Sequence, residues 1–454
     1  MDLSEKEARS QSFIKNTSMM LATKVAMVAL KLGIGVVTAR CLGPEGKGIF
    51  VLAIQMPGIL GTLGNLSIGE ALIYNIGQKK IDRNKILGNI LFFTVAVSVI
   101  ILVIYFYLLP FLSKTLLKSI DPRLLRISFI LVPLIILNDF SFSTFRGLKE
   151  FKLYSGLRVF SEGLLFCAVF TALVILRAGL KGAVIAYVSI FLFNILIFIV
   201  VLFVLSERKL SFSWSGLGSL VKYGLAVHIV VALAKLEYRV DIFILNFFLS
   251  PAHTGIYSVG VTMAQLLWYI VQSATNVLFP EVSSISRSEA AKFIPRVCRG
   301  VFFICGIVGL FLVASGYYLI QLFYGIKFIL AYSVFLILLP GLMMDAIFRI
   351  LSTYFRGTNR PLLVSKVVAV TLCLNLLLNF LLIPVLGIRG AALSSLISYS
   401  LNAIVLLIYF RRDSKVKLSE FLLINKSDLA VYSKLVNRIY KKAKVLTTNT
   451  DTDF

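Results

Sequence analysis

Residues 180–205 read LKGAVIAYVSIFLFNILIFIVVLFVL, twenty-six positions with a single charge, Lys181. About 20 such residues in a helix, each rising about 1.5 Å, cross the hydrocarbon of a bilayer. A soluble domain has no place for a helix of that length that is apolar on every side. Similar runs recur along the chain. Of its 454 residues 59% are hydrophobic and only 15% charged, too little polar surface to cover a water-soluble protein of this size. The expected class is an all-α polytopic membrane protein. Its apolar segments mark twelve transmembrane helices, at roughly 14–39, 49–76, 86–112, 124–147, 154–176, 180–205, 220–249, 255–280, 298–324, 331–355, 362–384 and 388–410.

The first run follows MDLSEKEARSQSFIK and itself holds Lys24 and Lys31. A cleavable leader needs a short uncharged core and a small-residue cleavage site, so this run reads as a span. Five cysteines, at 41, 167, 298, 305 and 373, form no CxxC pair and read as small packing residues. A net charge of +25 in a soluble chain would suggest nucleic acid. Here it sorts by side. Alternate connecting segments hold twenty-five Lys and Arg against ten in the other set, counting those at span ends. Positive charge gathers on the cytoplasmic side, so both termini are expected there and nucleic acid is not an expected partner. A basic tail, 413–454, adds six more cations beyond those counted and is expected to lie on the anionic inner leaflet.

The stretch CLGPEGKGIF, residues 41–50, resembles a phosphate-binding loop but lacks its spacing and the Ser or Thr that follows the lysine to hold magnesium. It has an echo instead. FLSPAHTGIY, residues 248–257, matches it at Leu42/Leu249, Pro44/Pro251, Gly48/Gly255, Ile49/Ile256 and Phe50/Tyr257, an offset of 207. FRG at 145–147 recurs at 355–357, an offset of 210, and GLKGA at 179–183 recurs as GIRGA at 387–391, an offset of 208. The chain therefore reads as two homologous six-helix lobes, 14–207 and 208–412, after a short cytoplasmic N-terminus, 1–13. Six crossings is an even number, so the lobes should be related by an axis along the membrane normal. The shared Pro and Gly read as turn chemistry for a tight connection between helices.

ARCLGPEGKGIFVLAI followed by GNLSIGEALIYNIGQ, RVDIFILNFFLSPAHTGIYSVGVTMAQLL, FRGLKEF and FRGTNRP resemble corresponding segments of the bacterial O-antigen (Wzx-type) flippases of polysaccharide biosynthesis. These belong to the multidrug/oligosaccharidyl-lipid/polysaccharide superfamily, and the resemblance covers nearly all of residues 10–412. It implies two lobes around a central cavity that opens to each side in turn. It also implies a task, carrying an undecaprenyl-diphosphate-linked oligosaccharide across the cytoplasmic membrane by alternating access, and a setting alongside the polysaccharide polymerase and chain-length machinery.

Ionisable residues within the spans are the sequence's own pointer to a site. A central Lys or Arg costs about 2.5–3.5 kcal/mol on insertion scales, so such residues line water or pair. Lys24 and Lys31, seven apart, fall within about 20° on one helical face. In the seventh span His228, Lys235 and Arg239 share a face, with Glu237 and Asp241 opposite. His228 reads as a packing residue. Lys24, Lys31, Lys235 and Arg239, with Arg349, are candidate cations for a diphosphate; ion pairs with Glu70, Glu237 or Asp241 are the other reading. Asp345 with Arg349, and Arg158 with Glu162, stand at the i,i+4 spacing of intrahelical pairs. Asp139 and Glu70 have no partner on their own helix, and with Asp345 are candidates for H+ or Na+ coupling; no other cofactor or metal is expected. Asp139 and Asp345 stand 206 apart, near the repeat spacing. In the second span Pro57, Gly61 and Gly64 suit either a bent gate helix or close packing.

A drug-cation antiporter of the same superfamily, or a lipid II flippase, shares the fold. The former would favour acidic walls; the latter group typically has two further spans. A membrane polymerase needs an acid or base on a long outer loop, whereas the longest here is about a dozen residues and the only DxD, at 451–453, lies in the tail. The expected protein is not an enzyme. The charge asymmetry generates a direct test: alkaline phosphatase fused after residue 454 should be inactive and the same reporter inserted in the loop at residue 120 active, with reversed activities overturning the orientation.

Overall fold

The computed structural model describes residues 3–77, 83–115, 117–118, 120–205, 211, 213–414 and 421. The basic tail other than 413, 414 and 421, the first two residues, and the cations at 79, 80, 208 and 209 lie outside the described residues. Fifteen α-helices follow one another: α1 Leu3–Gly64, α2 Ile68–Gly77, α3 Arg83–Lys114, α4 Pro122–Phe129, α5 Leu131–Gly147, α6 Phe151–Phe170, α7 Gly179–Leu205, α8 Trp214–Glu237, α9 Val240–Phe248, α10 Pro251–Ala264, α11 Leu266–Ser284, α12 Arg287–Phe323, α13 Ala331–Gly357, α14 Pro361–Leu386 and α15 Ile388–Ser414. A π-turn, Thr171–Ile175, extends α6, and a 3-10 turn, Ile326–Phe328, precedes α13. Among the described residues there is no strand.

The polarity of these helices is that of a protein in lipid. On α3, Asn89, Thr94 and Ser98 are buried, whereas Val95, Val99, Val103 and Phe106 are exposed, Phe106 by 74%. Water would impose the reverse. Among the described residues nine helices are long and apolar enough to cross a membrane, or ten if Pro251–Ala264 and Leu266–Phe279, bent by 43°, form one span. Twelve were expected, and the difference lies in two places. α1 covers the first expected span and runs into the second, 49–76, as far as Gly64, with α2 completing it after a break. The seventh is divided into α8 and α9 at Tyr238–Arg239, amid the charges of Lys235, Glu237, Arg239 and Asp241.

The join within α1 is Gly43, at φ 68° and ψ −177°, a backbone conformation glycine adopts without strain. Pro44 then opens the second segment, as Pro251 opens α10, where a missing N–H leaves no hydrogen bond unmade. The second glycine of the motif was read as turn chemistry, and the structure gives it another role. Gly48 and Gly255 lie within helices that cross backbone to backbone. A Cβ on Gly48 would stand 1.7 Å from the Pro251 carbonyl oxygen, and one on Gly255 2.1 Å from that of Pro44.

The chain packs as two compact units. The first runs up to Met263 and adds Gly316–Leu338 and Val368–Ser395; the second takes Ala264–Ser315, Leu339–Val367 and the chain from Leu396 onward. In the first, α5 is among the most enclosed helices. Val132, Ile136, Phe140 and Phe145 are fully buried, and Phe198 of α7 meets Phe142 edge-on at 4.8 Å. In the second, Tyr354 of α13 packs edge-on against Phe410 of α15 at 4.9 Å. There Asp413 Oδ2 also accepts from Arg287 and Arg360, both at 2.5 Å.

Backbone detail recurs at the repeat spacing. Gly179 and Gly387 take φ of 61° and 60°, and Lys149 and Asn359 take φ of 63° and 61°. The turns around the last pair share their hydrogen bonds. Leu148, Lys149 and Glu150 donate to Thr144, Arg146 and Phe145, and Thr358, Asn359 and Arg360 donate to Tyr354, Arg356 and Phe355. This turn fixes the local offset at 210, so the counterpart of Asp139 is Arg349 rather than Asp345.

Asparagine tolerates the left-handed region; lysine pays roughly 1–2 kcal/mol there. Lys149→Asn should therefore stabilise the protein by about 1 kcal/mol and Asn359→Lys destabilise it by a similar amount. Thermal unfolding of the purified variants reads both, and an unchanged or lower midpoint for Lys149→Asn would contradict the strain argument.

Candidate functional site

α1 stays helical through Pro57 as far as Gly64, and the bend expected of this segment falls just beyond, at Asn65–Leu66–Ser67. Leu66 and Ser67 take φ of 45° and 52°. Two left-handed residues that are not glycine hold strain of about 1–3 kcal/mol each, which persists only where neighbours fix it. Asn65 fixes it from within: its Oδ1 accepts from the Ser67 N–H at 2.9 Å, and its Nδ2 donates to Asp139 Oδ2 of α5 at 3.4 Å. α8 fixes it from outside. Ser67 Oγ lies 3.3 Å from His228 Nδ1, and a Cβ on Gly224 would stand 2.4 Å from the Leu66 carbonyl oxygen. Gly61 and Gly64 serve close contact: a Cβ on them would lie 3.2 Å from Ile135 and 2.1 Å from Ile101.

This break is where α1, α2, α5 and α8 meet, and it brings Asp139 of α5 against Asn65. Lys235 lies partly buried near the end of α8, within the fields of Arg239, Asp139 and Lys31. Asp139 lies in turn within the fields of Arg158, Lys235 and Arg146. Arg239 was expected on the Lys235 face of one continuous helix. The break at Tyr238 makes it the residue that caps α9, with φ −139°, so its charge, not a shared face, relates it to Lys235. Lys31 pairs with Glu162 of α6, Nζ to Oε1 3.4 Å. Lys24, two turns earlier on α1, is partly buried.

Three pairings differ from those the spacing suggested. Glu162 faces Lys31 across helices instead of Arg158 along its own, because Arg158 lies over the Phe142 ring at 4.2 Å. Glu70, in the first turn of α2, has Arg146 of α5 at 3.8 Å, an exposed pair. Asp241 is enclosed at the start of α9, its carboxylate accepting from Tyr257 Oη at 2.5 Å and the Ile242 N–H at 2.8 Å. The lysine of the GKG motif also has a structural partner set. Buried Lys47 donates to Thr38 Oγ1 at 2.7 Å and to the Gly35 carbonyl at 3.3 Å, tying the two segments of α1 together across the Gly43 kink. In the second unit Asp345 and Arg349 form the expected intrahelical pair, Nε to Oδ2 2.6 Å, and the guanidinium stacks 4.4 Å from the centre of the Trp268 ring.

Sequence reasoning missed Asn65. Its signal was available only in part, since NLS inside an apolar run marks a polar interruption but not which acid it faces. Among the described residues no group of three or more His, Cys, Asp or Glu is placed to hold a metal ion. The arrangement can hold an anion through Lys31, Lys235 and Arg239 beside an enclosed carboxylate, and it offers no nucleophile with an adjacent base.

Comparison with known proteins gives these observations a context. The “Probable low-salt glycan biosynthesis flippase Agl15” of Haloferax volcanii is 25% identical over 173 residues, 36% of this chain and 36% of that protein. The chain thus matches little more than a third of that relative's length. Among solved structures, the “Lipid II flippase MurJ, inward closed conformation” superposes with a TM-score of 0.71 at 15% identity, covering 88% of this chain and 89% of that one. The “Inward-facing conformation of a multidrug resistance MATE family transporter of the MOP superfamily” gives 0.69 at 16% identity over 85% and 94%. At such identities the likeness is one of fold, that of polytopic membrane transporters. The profile of the family described as “Polysaccharide biosynthesis protein” matches residues 37–333, well over half of the sequence, and the chain belongs to that family.

Proposed function

We propose that this chain is a flippase. It carries an undecaprenyl-diphosphate-linked oligosaccharide from the inner to the outer leaflet of the cytoplasmic membrane, by alternating access between two six-helix lobes, 14–207 and 208–412. One observation carries the reading. Lys31, Arg239 and Asp139 all lie within electrostatic reach of Lys235, and Asp139 is held by Asn65 at a strained helix break. A diphosphate crossing a low-dielectric layer needs cations along its path, and ammonium and guanidinium groups pair well with phosphate oxygens. A carrier of cationic drugs would need the opposite sign, and Lys31, Lys235 and Arg239 against Glu162 and Asp139 leave an excess of positive charge that favours anionic cargo. Family membership and the named activity of the Haloferax relative support the same reading. No bond is made or broken; the work is binding and release.

Asp139, held by Asn65 and surrounded by cations, is the carboxylate best suited to exchange a coupling H+ or Na+ as the cargo moves. Arg349, with Asp345 and the Trp268 face already engaged, is better suited to packing than to cargo. On this reading both termini are cytoplasmic, and the flipped lipid-linked glycan passes to the polymerase and chain-length machinery.

Deletion of the gene should leave a lipid-linked glycan on the cytoplasmic leaflet. Lys235→Ala should slow its flipping by about ten- to hundredfold, the loss of one charge-assisted contact, and Lys235→Arg should restore most of the rate. Flipping by Lys235→Ala at the parental rate would remove the cation assignment. Asp139→Asn should leave glycan binding intact and make flipping insensitive to the ion gradient; retained gradient dependence would assign coupling elsewhere.

A further inference from the structure

The end of the first unit that carries Arg40 is held by contacts that come in pairs. Arg40, three residues before the Gly43 kink, donates Nε to the Phe323 carbonyl at 2.9 Å, and its Nη2 reaches the carbonyls of Gln321, at 3.4 Å, and Leu322. These are the last carbonyls of α12, which a helix leaves without donors of its own. Lys118, in the turn after α3, donates Nζ to the carbonyl of Phe247 at 3.1 Å and lies 6.0 Å over the same residue's ring. Phe247 stands one residue from the end of α9. In both cases an exposed cation of the first repeat caps the negative end of a helix of the second.

The two caps are counterparts. The residue 207 after Arg40 is Phe247, and the turn that holds Lys118 matches the turn at Gly325, since Leu117 and Ile120 donate to Leu112 and Leu117 as Gly325 and Phe328 donate to Ile320 and Gly325. Gly325, at φ 95°, closes α12 with its side-chain direction 3.5 Å from the Arg40 guanidinium. Arg40 therefore meets the turn at Gly325 as Phe247 meets the corresponding turn, at Lys118. One to two turns further along, Gly48 meets Pro251 as Gly255 meets Pro44. Contacts of residue i with j and of j's counterpart with i's are those that a two-fold axis generates. The repeats thus close on one another at this end, by a glycine crossing on the axis with one cation latch on either side of it.

We propose that Arg40 and Lys118 are the two latches of a gate, and that both must leave their helix ends before a path can open there. The proposal rests on the transport reading for its purpose. The chemistry suits a reversible closure. The glycine crossing involves backbone and can act as a pivot, whereas an exposed cation on a helix end exchanges readily with water. Arg40 reaches three carbonyls and Lys118 one, so Arg40 is the stronger latch. By the charge asymmetry of the connecting segments this is the outer end, opposite the basic face.

The test reads the gate without any cargo, so failure of the flippase reading leaves it standing and its own failure leaves that reading untouched. Spin labels are placed at the exposed positions Glu45 and Lys327, one in each repeat, in the full-length chain with its five cysteines replaced, in lipid nanodiscs. Arg40→Gln and Lys118→Gln should each raise the long-distance population severalfold, Arg40→Gln more, and the double variant should exceed both. Arg40→Lys, which keeps a cation, and Arg389→Gln, an exposed cation outside the pair, should leave the distribution as in the parent. Lys118→Gln alone carries the test if Arg40→Gln does not fold. An unchanged distribution in the folded double variant, or equal opening by Arg389→Gln, would overturn the proposal.

Discussion

In hydrocarbon a backbone amide or carbonyl without a partner costs several kcal/mol, and there is no water to supply one. A helix that spans the membrane satisfies its own backbone; a helix that breaks there must be given partners by side chains or neighbours. At three of the breaks in the first unit a polar side chain is positioned to do this. Lys47 reaches back over the Gly43 kink to the Gly35 carbonyl. Asn65 accepts from Ser67 N–H. Asp241 accepts from the Ile242 N–H at the start of α9. The same requirement explains where the charges of the candidate site lie. A chain that must carry polar groups into the membrane to bend its helices has already made an environment in which further polar groups are tolerated, and Asp139, Lys235 and Arg239 stand beside two of those breaks.

The duplication preserves geometry and varies charge. The turns at Lys149 and Asn359 share conformation and hydrogen bonds, and the glycines at 48 and 255 make the same close approach. Yet Asp139 has Arg349 as its counterpart, Ile34 stands where Asp241 stands, and Thr254 stands where Lys47 stands. Fold and crossing points are constraints that both repeats must meet for the helices to pack at all. Charges inside the membrane are not needed for that, so each repeat is free to carry its own set. Where the two repeats echo one another it is in backbone, and where they differ it is in charge.

What the sequence disclosed follows the same division. Apolar runs made the membrane class legible, since a helix surrounded by lipid needs apolar residues on its whole exposed face, and the repeat was legible from Pro and Gly because those residues answer backbone demands. The purpose of Gly48 was not, because a turn and a helix crossing both call for a residue without a side chain. The boundaries within α1 and between α8 and α9 were hidden because hydropathy reports whether a segment is apolar and says little about whether it is straight. Pairings across helices were the least legible. Glu162 has Arg158 at helical spacing, and nothing local says that an aromatic face at Phe142 will take the arginine and leave the acid to Lys31.

That last pairing bears on how such a site would turn over. A cation at mid-membrane costs about 2.5–3.5 kcal/mol on its own, and a nearby carboxylate lowers that cost. Lys31 has Glu162 at 3.4 Å, and Lys235 has the field of Asp139. An entering diphosphate would not meet bare cations; it would exchange with carboxylates already in place. Its net affinity is then a difference between two similar interactions and smaller than either. A carrier requires such a difference, because a site of unopposed cations would hold the anion too well to release it at the other face. Glu162 and Asp139 would thus act on the empty carrier by stabilising the lysines and on the loaded one by competing for them.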